Sequence, residues 1–280
     1  MHITRVTMIT SLQNPQVRMI TQLNTKAKAR KKNGLFTAEG RKMFLEAPPD
    51  WICKVYLTEE AASDEEVAGK IRKEQLAVET VTAPVFGRMA DTQTPQGILT
   101  VLRSPVTTAE ELVRKSMASG PGLQKAQAPL WMVLENLQDP GNLGTILRTG
   151  EGAGIAGVLL TGSCVDMLSP KTVRATMGSI YRVPFAEVSD IGECAALLKR
   201  YGIRMYAAHL KGTNTYDMES YAGPSAFLIG NEGNGLSEEA SEQADCLIRI
   251  PMLGRVESLN AAMAAGILMY EAARQHRTMK

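Results

Sequence analysis

LWMVLENLQDPGNLGTILRTGEGAG, residues Leu130–Gly154, decides the fold. Leu130 to Leu137 is apolar at odd and even positions alike, the pattern of a strand buried on both faces. Asp139-Pro140-Gly141 then breaks the run, and Leu143 to Gly152 reads as a helix. The same alternation continues to the C-terminus. Strands are expected at 157–161, 182–186, 204–208, 226–230 and 247–251, and helices at 170–180, 192–201, 237–242 and 258–274. SAFLIG (Ser225–Gly230) repeats the two-sided apolar character. This alternation predicts a mostly parallel α/β sheet with helices on both faces.

Upstream, Ser104 to Pro129 opens and closes near prolines and contains Ser119-Gly120-Pro121-Gly122. It reads as an interdomain connection with a short helix at 109–117. Before it, helical spacing over 15–32 (Val17, Ile20, Leu23, Ala27) leads into further short elements. These are strands at 35–38, 52–57, 77–81 and 97–102, with helices at 41–47, 64–74 and 85–90. The expected organisation is a small α/β domain at 1–104, a linker at 105–129 and the larger sheet domain at 130–280.

The chain has 280 residues, 44% apolar and 21% charged, with a net charge of +2. That composition is globular, with material for a real core. Charge is unevenly spread. The first 45 residues hold nine basic side chains (Arg5, Arg18, Lys26, Lys28, Arg30, Lys31, Lys32, Arg41, Lys42) against Glu39 alone. The remainder is net acidic, and this asymmetry predicts a polyanion partner for the N-terminal part. The longest apolar run, Ala261 to Tyr270, is too short to span a bilayer. No signal-peptide core precedes the first domain. Cys53, Cys164, Cys194 and Cys246 lie far apart with no Cys-x-x-Cys, so neither a metal site nor a disulfide framework is expected, and the setting reads as cytoplasmic. His2, His209 and His276 have no triad partners nearby in sequence.

Glycines gather where strands end, at 139–144, 230–235 and 254. Ligands of open parallel sheets bind beyond such strand ends, and glycine lets backbone approach a ligand. Four polar groups stand at these loop mouths: Arg148 on the helix after the first loop, Glu232 between glycines, and Ser258 and Asn260 opening the last helix. Ser258 is also a good N-cap. Gly152-Ala153-Gly154-Ile155-Ala156-Gly157 matches a dinucleotide fingerprint literally, but it follows a helix and enters a strand, the reverse of what nicotinamide binding requires. No Gly-Lys-Ser or Gly-Lys-Thr triplet marks a phosphate loop.

Three blocks resemble the signature motifs of the SpoU/TrmH family of RNA ribose 2′-O-methyltransferases, within the SPOUT class. They are LENLQDPGNLGTILRTGEGAG (Leu134–Gly154), FLIGNEGNGLSEE (Phe227–Glu239) and IRIPMLGRVESLNAAMAAGILMYEAAR (Ile248–Arg274), with LSPKTVRATMGSIYRVPF (Leu168–Phe185) similar to the family's intervening segment. SLQNPQVRMI, GLFTAEGRKM and TPQG of the first domain resemble the accessory RNA-binding domain of many members. The resemblance implies a trefoil-knotted sheet, S-adenosylmethionine as cofactor with no metal, and a homodimer with sites at its interface. It implies backbone contacts to the cofactor from Gly230, Ile250 and Leu259. Asn142, Arg148, Glu232, Ser258 and Asn260 match catalytic and substrate-site positions. Arg148 is expected to orient the ribose hydroxyl and stabilise alkoxide character, since a guanidinium is a poor base. Glu232 is expected to fix Arg148 or a glycine loop, and Asn260 to anchor loop backbone. Large-subunit ribosomal RNA is the expected substrate. Transfer RNA, or a non-catalytic role in ribosome assembly, is the alternative.

Overall fold

The computed structural model describes residues 8–119 and 128–278. Arg5 of the basic arm and the Gly120-Pro121-Gly122 break lie outside the described residues. In chain order the elements are α1 (Pro15–Thr25), α2 (Ala27–Asn33), β1 (Leu35–Glu39), α3 (Arg41–Glu46), β2 (Ile52–Leu57), α4 (Glu59–Ala62), α5 (Glu65–Glu74), β3 (Val78–Thr80), α6 (Ala83–Met89) and β4 (Ile98–Arg103). Then follow α7 (Ala109–Ser119), β5 (Leu130–Glu135), α8 (Pro140–Ala153), β6 (Gly157–Thr161), α9 (Pro170–Ala175), β7 (Phe185–Val188), α10 (Ile191–Arg200) and β8 (Arg204–Ala208). The last are β9 (Asn214–Thr215), β10 (Ser225–Ile229), α11 (Glu238–Gln243), β11 (Cys246–Arg249) and α12 (Ala261–Thr278). No helix among the described residues is long and apolar enough to cross a membrane.

Two compact units result. One comprises residues up to Pro105 together with Asp166–Tyr181, the other Val106–Val165 and Arg182–Lys280. In the first unit the strand order is β1-β4-β2-β3, with β4 antiparallel to both neighbours and β3 parallel to β2. Alternate residues of β4 serve two cores. Leu99 and Val101 pack with Val17, Ile20 and Leu23 of α1, whereas Ile98 packs with Phe44 and Val67. The helix expected over 15–32 is broken at Lys26, whose φ of −129° and ψ of 111° are extended. The break leaves the carbonyls of Leu23 and Asn24 open at the end of α1, and Arg30 turns inward to donate to both. A side chain thus meets acceptors that further helical turns would have filled.

In the second unit every strand pair is parallel, in the order β7-β6-β5-β10-β8-β11-β9. β5 and β10 are buried at every position, as their two-sided apolar pattern requires. On one face Val113 of α7 packs with Trp131, Leu197 and Leu228. On the other, α12 lies against α8, β10 and β5. Its buried side is mostly alanine (Ala261, Ala262, Ala265, Ala272, Ala273), and Gly144 and Gly150 of α8 are buried too. The literal dinucleotide match closes α8 instead: Gly154 takes a left-handed φ of 76°, Ile155 N–H donates to Gly150 O, and β6 begins at Gly157.

Two local expectations are corrected, and one strand was not foreseen. The helix expected over 170–180 stops at Ala175, because Met177 (φ 51°) and Gly178 (φ 101°) are left-handed. The last helix opens at Ala261, so Ser258 is not its cap. Asn260 is: its Oδ1 accepts from the N–H of Ala262 at 2.9 Å and of Met263 at 3.2 Å. β9, two polar residues beside β11, has no apolar pattern to announce it. Gly157 shows how closely the sheet is filled. A Cβ there would lie 2.5 Å from Trp131 Cζ3 and 2.8 Å from Pro184 O. Gly157→Ala is expected to destabilise the chain by about 1–3 kcal/mol through overpacking; urea unfolding coincident with wild type would show that Trp131 can yield.

Candidate active site

Because β8, β10 and β11 run parallel, their C-terminal ends share one edge, and the loops beyond them enclose a cavity of about 440 Å³. Gly230 is its structural pivot. A Cβ on it would fall 2.1 Å from Gly235 C and 2.2 Å from Leu236 N, so the next turn folds directly over its backbone. Two bonds between Asn231 and Gly235 close that turn, N–H to O at 3.0 and 2.9 Å. Asn231 Oδ1 accepts from the N–H of Gly233 and Asn234 (2.9 and 3.1 Å), and its Nδ2 donates to Asn136 O (2.9 Å).

The turn presents Glu232 to the loop that follows β5. Oε1 accepts from Asp139 N–H and from Asn142 Nδ2, both at 3.0 Å; Oε2 accepts from Gln138 N–H at 3.1 Å. Asn142 Oδ1 in turn accepts from Asn260 Nδ2 at 2.9 Å. The orientations are mutually determined. An ionised carboxylate only accepts, which sets the Asn142 amide. Asn260 Oδ1 is occupied by two backbone N–H groups, so its nitrogen faces Asn142. Partial burial pushes the Glu232 carboxyl up, but hydrogen bonds from Asn142, Gln138 and Asp139 outweigh it and hold the group below the ordinary glutamate value.

Of the residues singled out in the sequence, Gly230, Glu232, Ile250, Ser258 and Leu259 line the cavity. Asn142 and Asn260 join it through Glu232. Arg148 does not: it is exposed on α8, and among the described residues it has no hydrogen-bond or ion-pair partner. Glu232 therefore holds the entry to α8, from Gln138 to Asn142, and makes no bond to Arg148. Four residues that sequence reasoning passed over complete the frame. Asn136 takes a left-handed φ of 54°, and its Oδ1 accepts from Ser163 N–H at 2.8 Å. Asn231 and Gln138 stitch neighbouring loops. Glu135, only 5% exposed, accepts from Ser237 N–H at 2.8 Å and Oγ at 2.7 Å, fixing the residue that caps α11. A carboxylate within the apolar run LWMVLENL was the available signal. Cys164 is tied into the same frame. Burial raises its thiol pKa, and Sγ contacts the carbonyl oxygens of Leu134 (3.2 Å) and Thr161 (3.3 Å).

Residues 129–270 match the SpoU rRNA Methylase family, and residues 14–100 match the MRM3-like substrate binding domain. The chain belongs to the SpoU family. It is 33% identical over 272 residues to an uncharacterized tRNA/rRNA methyltransferase of Synechocystis, covering 95% of this chain and 93% of that one. It is 30% identical over 264 residues to the 23S rRNA (guanosine(2553)-2′-O)-methyltransferase RlmP of Bacillus subtilis, covering 94% and 97%. Among solved structures, the AdoMet-bound rRNA methyltransferase of Sinorhizobium meliloti aligns with a TM-score of 0.82 at 33% identity, over 96% of this chain and 97% of that one.

The lowered Glu232 pKa has a testable sign. Its hydrogen bonds stabilise the fold above the unfolded-state pKa, and that contribution is lost as pH falls through the lower folded-state pKa. Glu232→Gln should therefore lower the melting temperature most at neutral pH, with the difference from wild type shrinking in strong acid. A difference independent of pH would show that the charge is not what holds the loop.

Proposed function

We propose that the chain is an S-adenosylmethionine-dependent RNA methyltransferase that methylates a ribose 2′-hydroxyl of large-subunit ribosomal RNA in the cytoplasm. The observation that carries this reading is the frame of the cavity. The Gly230–Gly235 turn and Glu232 form part of its wall, and Glu232, Asn142 and Asn260 form one hydrogen-bonded chain that leads from that wall to the start of α12, beside the lining residues Ser258 and Leu259. The chain also aligns end to end with relatives named for this chemistry.

The cofactor fits the residues present. A nucleoside carrying an amino-acid tail needs an apolar slot, backbone polar groups and a charged partner for its carboxylate. Leu236, Ile250 and Leu259 supply the first, the turn after Gly230 the second, and Lys211 and Arg249 the third. The cavity volume lies within the small-molecule range of roughly 300–1,000 Å³. Backbone groups at Gly230, Ile250 and Leu259 would hold the molecule. When bound, S-adenosylmethionine supplies a methyl group on a sulfonium, ready for transfer to an oxygen nucleophile.

The chain must then orient the ribose hydroxyl and stabilise its developing negative charge. Arg148 suits both, as an unpaired planar fork of donors that also matches the adjacent phosphate. Among the described residues Asn142 has one amide N–H left after its bond to Glu232 and the exposed Ser258 hydroxyl has no partner; both would bond the ribose. Glu232 and Asn260 keep Asn142 in that orientation. The exposed Leu253, Val256, Met263 and Tyr270 support a homodimer, in which Arg148 serves the partner's cofactor. The return from β11 to α12 is the stretch that would thread the knot. In the first unit, Lys26, Lys28 and Lys32 are exposed and without ion-pair partners among the described residues, available to RNA phosphates.

Calorimetry should detect S-adenosylmethionine binding without added metal, and Arg148→Ala should leave that affinity nearly unchanged while abolishing methyl transfer to ribosomal RNA. Arg148→Lys should also be severely impaired, because a point charge does not reproduce the fork. Cofactor binding with methylation of transfer RNA alone would change the substrate; binding with no methylation of any RNA would leave an assembly factor.

RNA affinity should fall steeply with salt. Replacing Lys28 and Lys32 with Gln should reduce the log–log salt slope by about 1.5, at roughly 0.7–0.9 for each phosphate no longer neutralised. An unaltered slope would show that these lysines are only a solvated face.

A further inference from the structure

Part of the SpoU-matched region is built into the first unit. Asp166–Tyr181 leaves the second unit after β6, packs with residues up to Pro105, and returns at Arg182. α9 lies on β1, and Thr172, Val173 and Thr176 are buried. The segment is held at three points. Tyr181 meets the edge of Trp51, with ring centroids 6.1 Å apart. Arg174 Nη1 pairs with Asp91 Oδ2 at 3.0 Å. At the head of the segment, Asp166 pairs with Arg30.

That last pair differs from the others in burial. The Arg30 side chain is 6% exposed and that of Asp166 18%. Nε and Nη2 of Arg30 donate to Asp166 Oδ2 at 2.8 and 2.6 Å, while Nη1 donates to Leu23 O and Asn24 O. Asp166 Oδ1 accepts from Leu168 N–H at 2.9 Å. Buried and occupied on all three nitrogens, Arg30 is not available to RNA, unlike the exposed Lys26, Lys28 and Lys32. A buried ion pair is weak support for stability, since apolar partners of similar volume often do as well. What it adds is a fixed geometry.

The fixed point lies one residue from the candidate active site's frame. Val165 N–H donates to Leu137 O at 2.7 Å. Cys164 Sγ accepts from Leu137 N–H at 3.3 Å, Ser163 N–H donates to Asn136 Oδ1 at 2.8 Å, and Gln138 Nε2 donates to Ser163 O. The run Ser163–Val165 is thus bonded residue by residue to Asn136–Gln138, and Gln138 in turn donates its N–H to Glu232.

We propose that Arg30 is a positioning residue for methyl transfer. Its pairing with Asp166 anchors the adjoining Ser163–Val165, which braces residues 136–142. This inference rests on the methyl-transfer reading for its consequence, but the bracing is measurable without it.

The test uses the full chain and three variants: Arg30→Met, Asp166→Asn, and Arg30→Met with Asp166→Leu, which removes both charges. Amide hydrogen exchange without cofactor reads the brace, and residues 136–142 should exchange faster in all three. Labelled methyl transfer to undermethylated ribosomal RNA reads the consequence. kcat should fall by roughly tenfold, within the range of couplings between sites, with KM changed much less and cofactor affinity within about twofold. The double variant is decisive, since it should regain much of the lost melting temperature without regaining kcat. A double variant that melts like wild type and keeps wild-type kcat would overturn the proposal. So would unchanged exchange in 136–142. If the double variant does not fold, Asp166→Asn, which keeps the volume of the side chain, decides by the same two readouts. No transfer by the wild-type chain would count against the proposed function, and the exchange comparison alone would then decide this inference.

Discussion

The site's frame depends on one ionised carboxylate. Glu232 accepts three hydrogen bonds from Gln138, Asp139 and Asn142, ninety or more residues earlier in the chain. Two come from the backbone N–H groups of Gln138 and Asp139, which lead into α8. Helix starts carry unpaired donors and a positive dipole end, so a negative side chain is favoured there. The third bond orients Asn142, and through it Asn260. Remove the charge, and the loops after β5 and β10 and the start of α12 lose their common reference.

That arrangement needs α12 to lie close against α8, which explains otherwise featureless residues. Ala262 and Ala265 are buried on α12 and Gly144 and Gly150 on α8, small residues suited to a close approach of the two helices. At Gly150 a Cβ would fall 3.4 Å from Met269 Sδ of α12, and 2.3 Å from Ile155 Cδ1 of the chain just after α8. Bulky side chains would separate the helices and carry Asn260 away from Asn142. The polar network and the small-residue seam are therefore one design constraint.

The sheet was legible because burial on both faces writes an apolar run that polar turns cannot imitate. Strand order was less so: neither the placement of β10 between β5 and β8 nor the two polar residues of β9 leave a local signal. Errors fell where a side chain competes with backbone. Lys26 breaks a well-spaced helix because Arg30 can satisfy the carbonyls exposed by the break. Asn260 rather than Ser258 caps α12, although Ser258 is an equally good cap by type. Asn136 reads as one more polar residue after a strand, and only its left-handed backbone marks it as a corner. The motif resemblance drew attention to Asn142, Glu232 and Asn260, but their bonds to one another are a product of the fold.

Two arginines show why residue type alone does not assign a role. Arg30 sits in a run of lysines and reads from sequence as one more charge for a polyanion. The fold buries it, fills all three nitrogens and leaves its neighbours outside. Arg148 sits in an apolar helix stretch, where an unpaired charge is costly if buried, yet α8 turns it outward with no partner among the described residues. An exposed guanidinium without a partner contributes little to the chain that carries it. It can act only on something that arrives, whether RNA, a second subunit or both. The structural charge and the available one are therefore separated by burial, and it is the available one that the proposed chemistry requires.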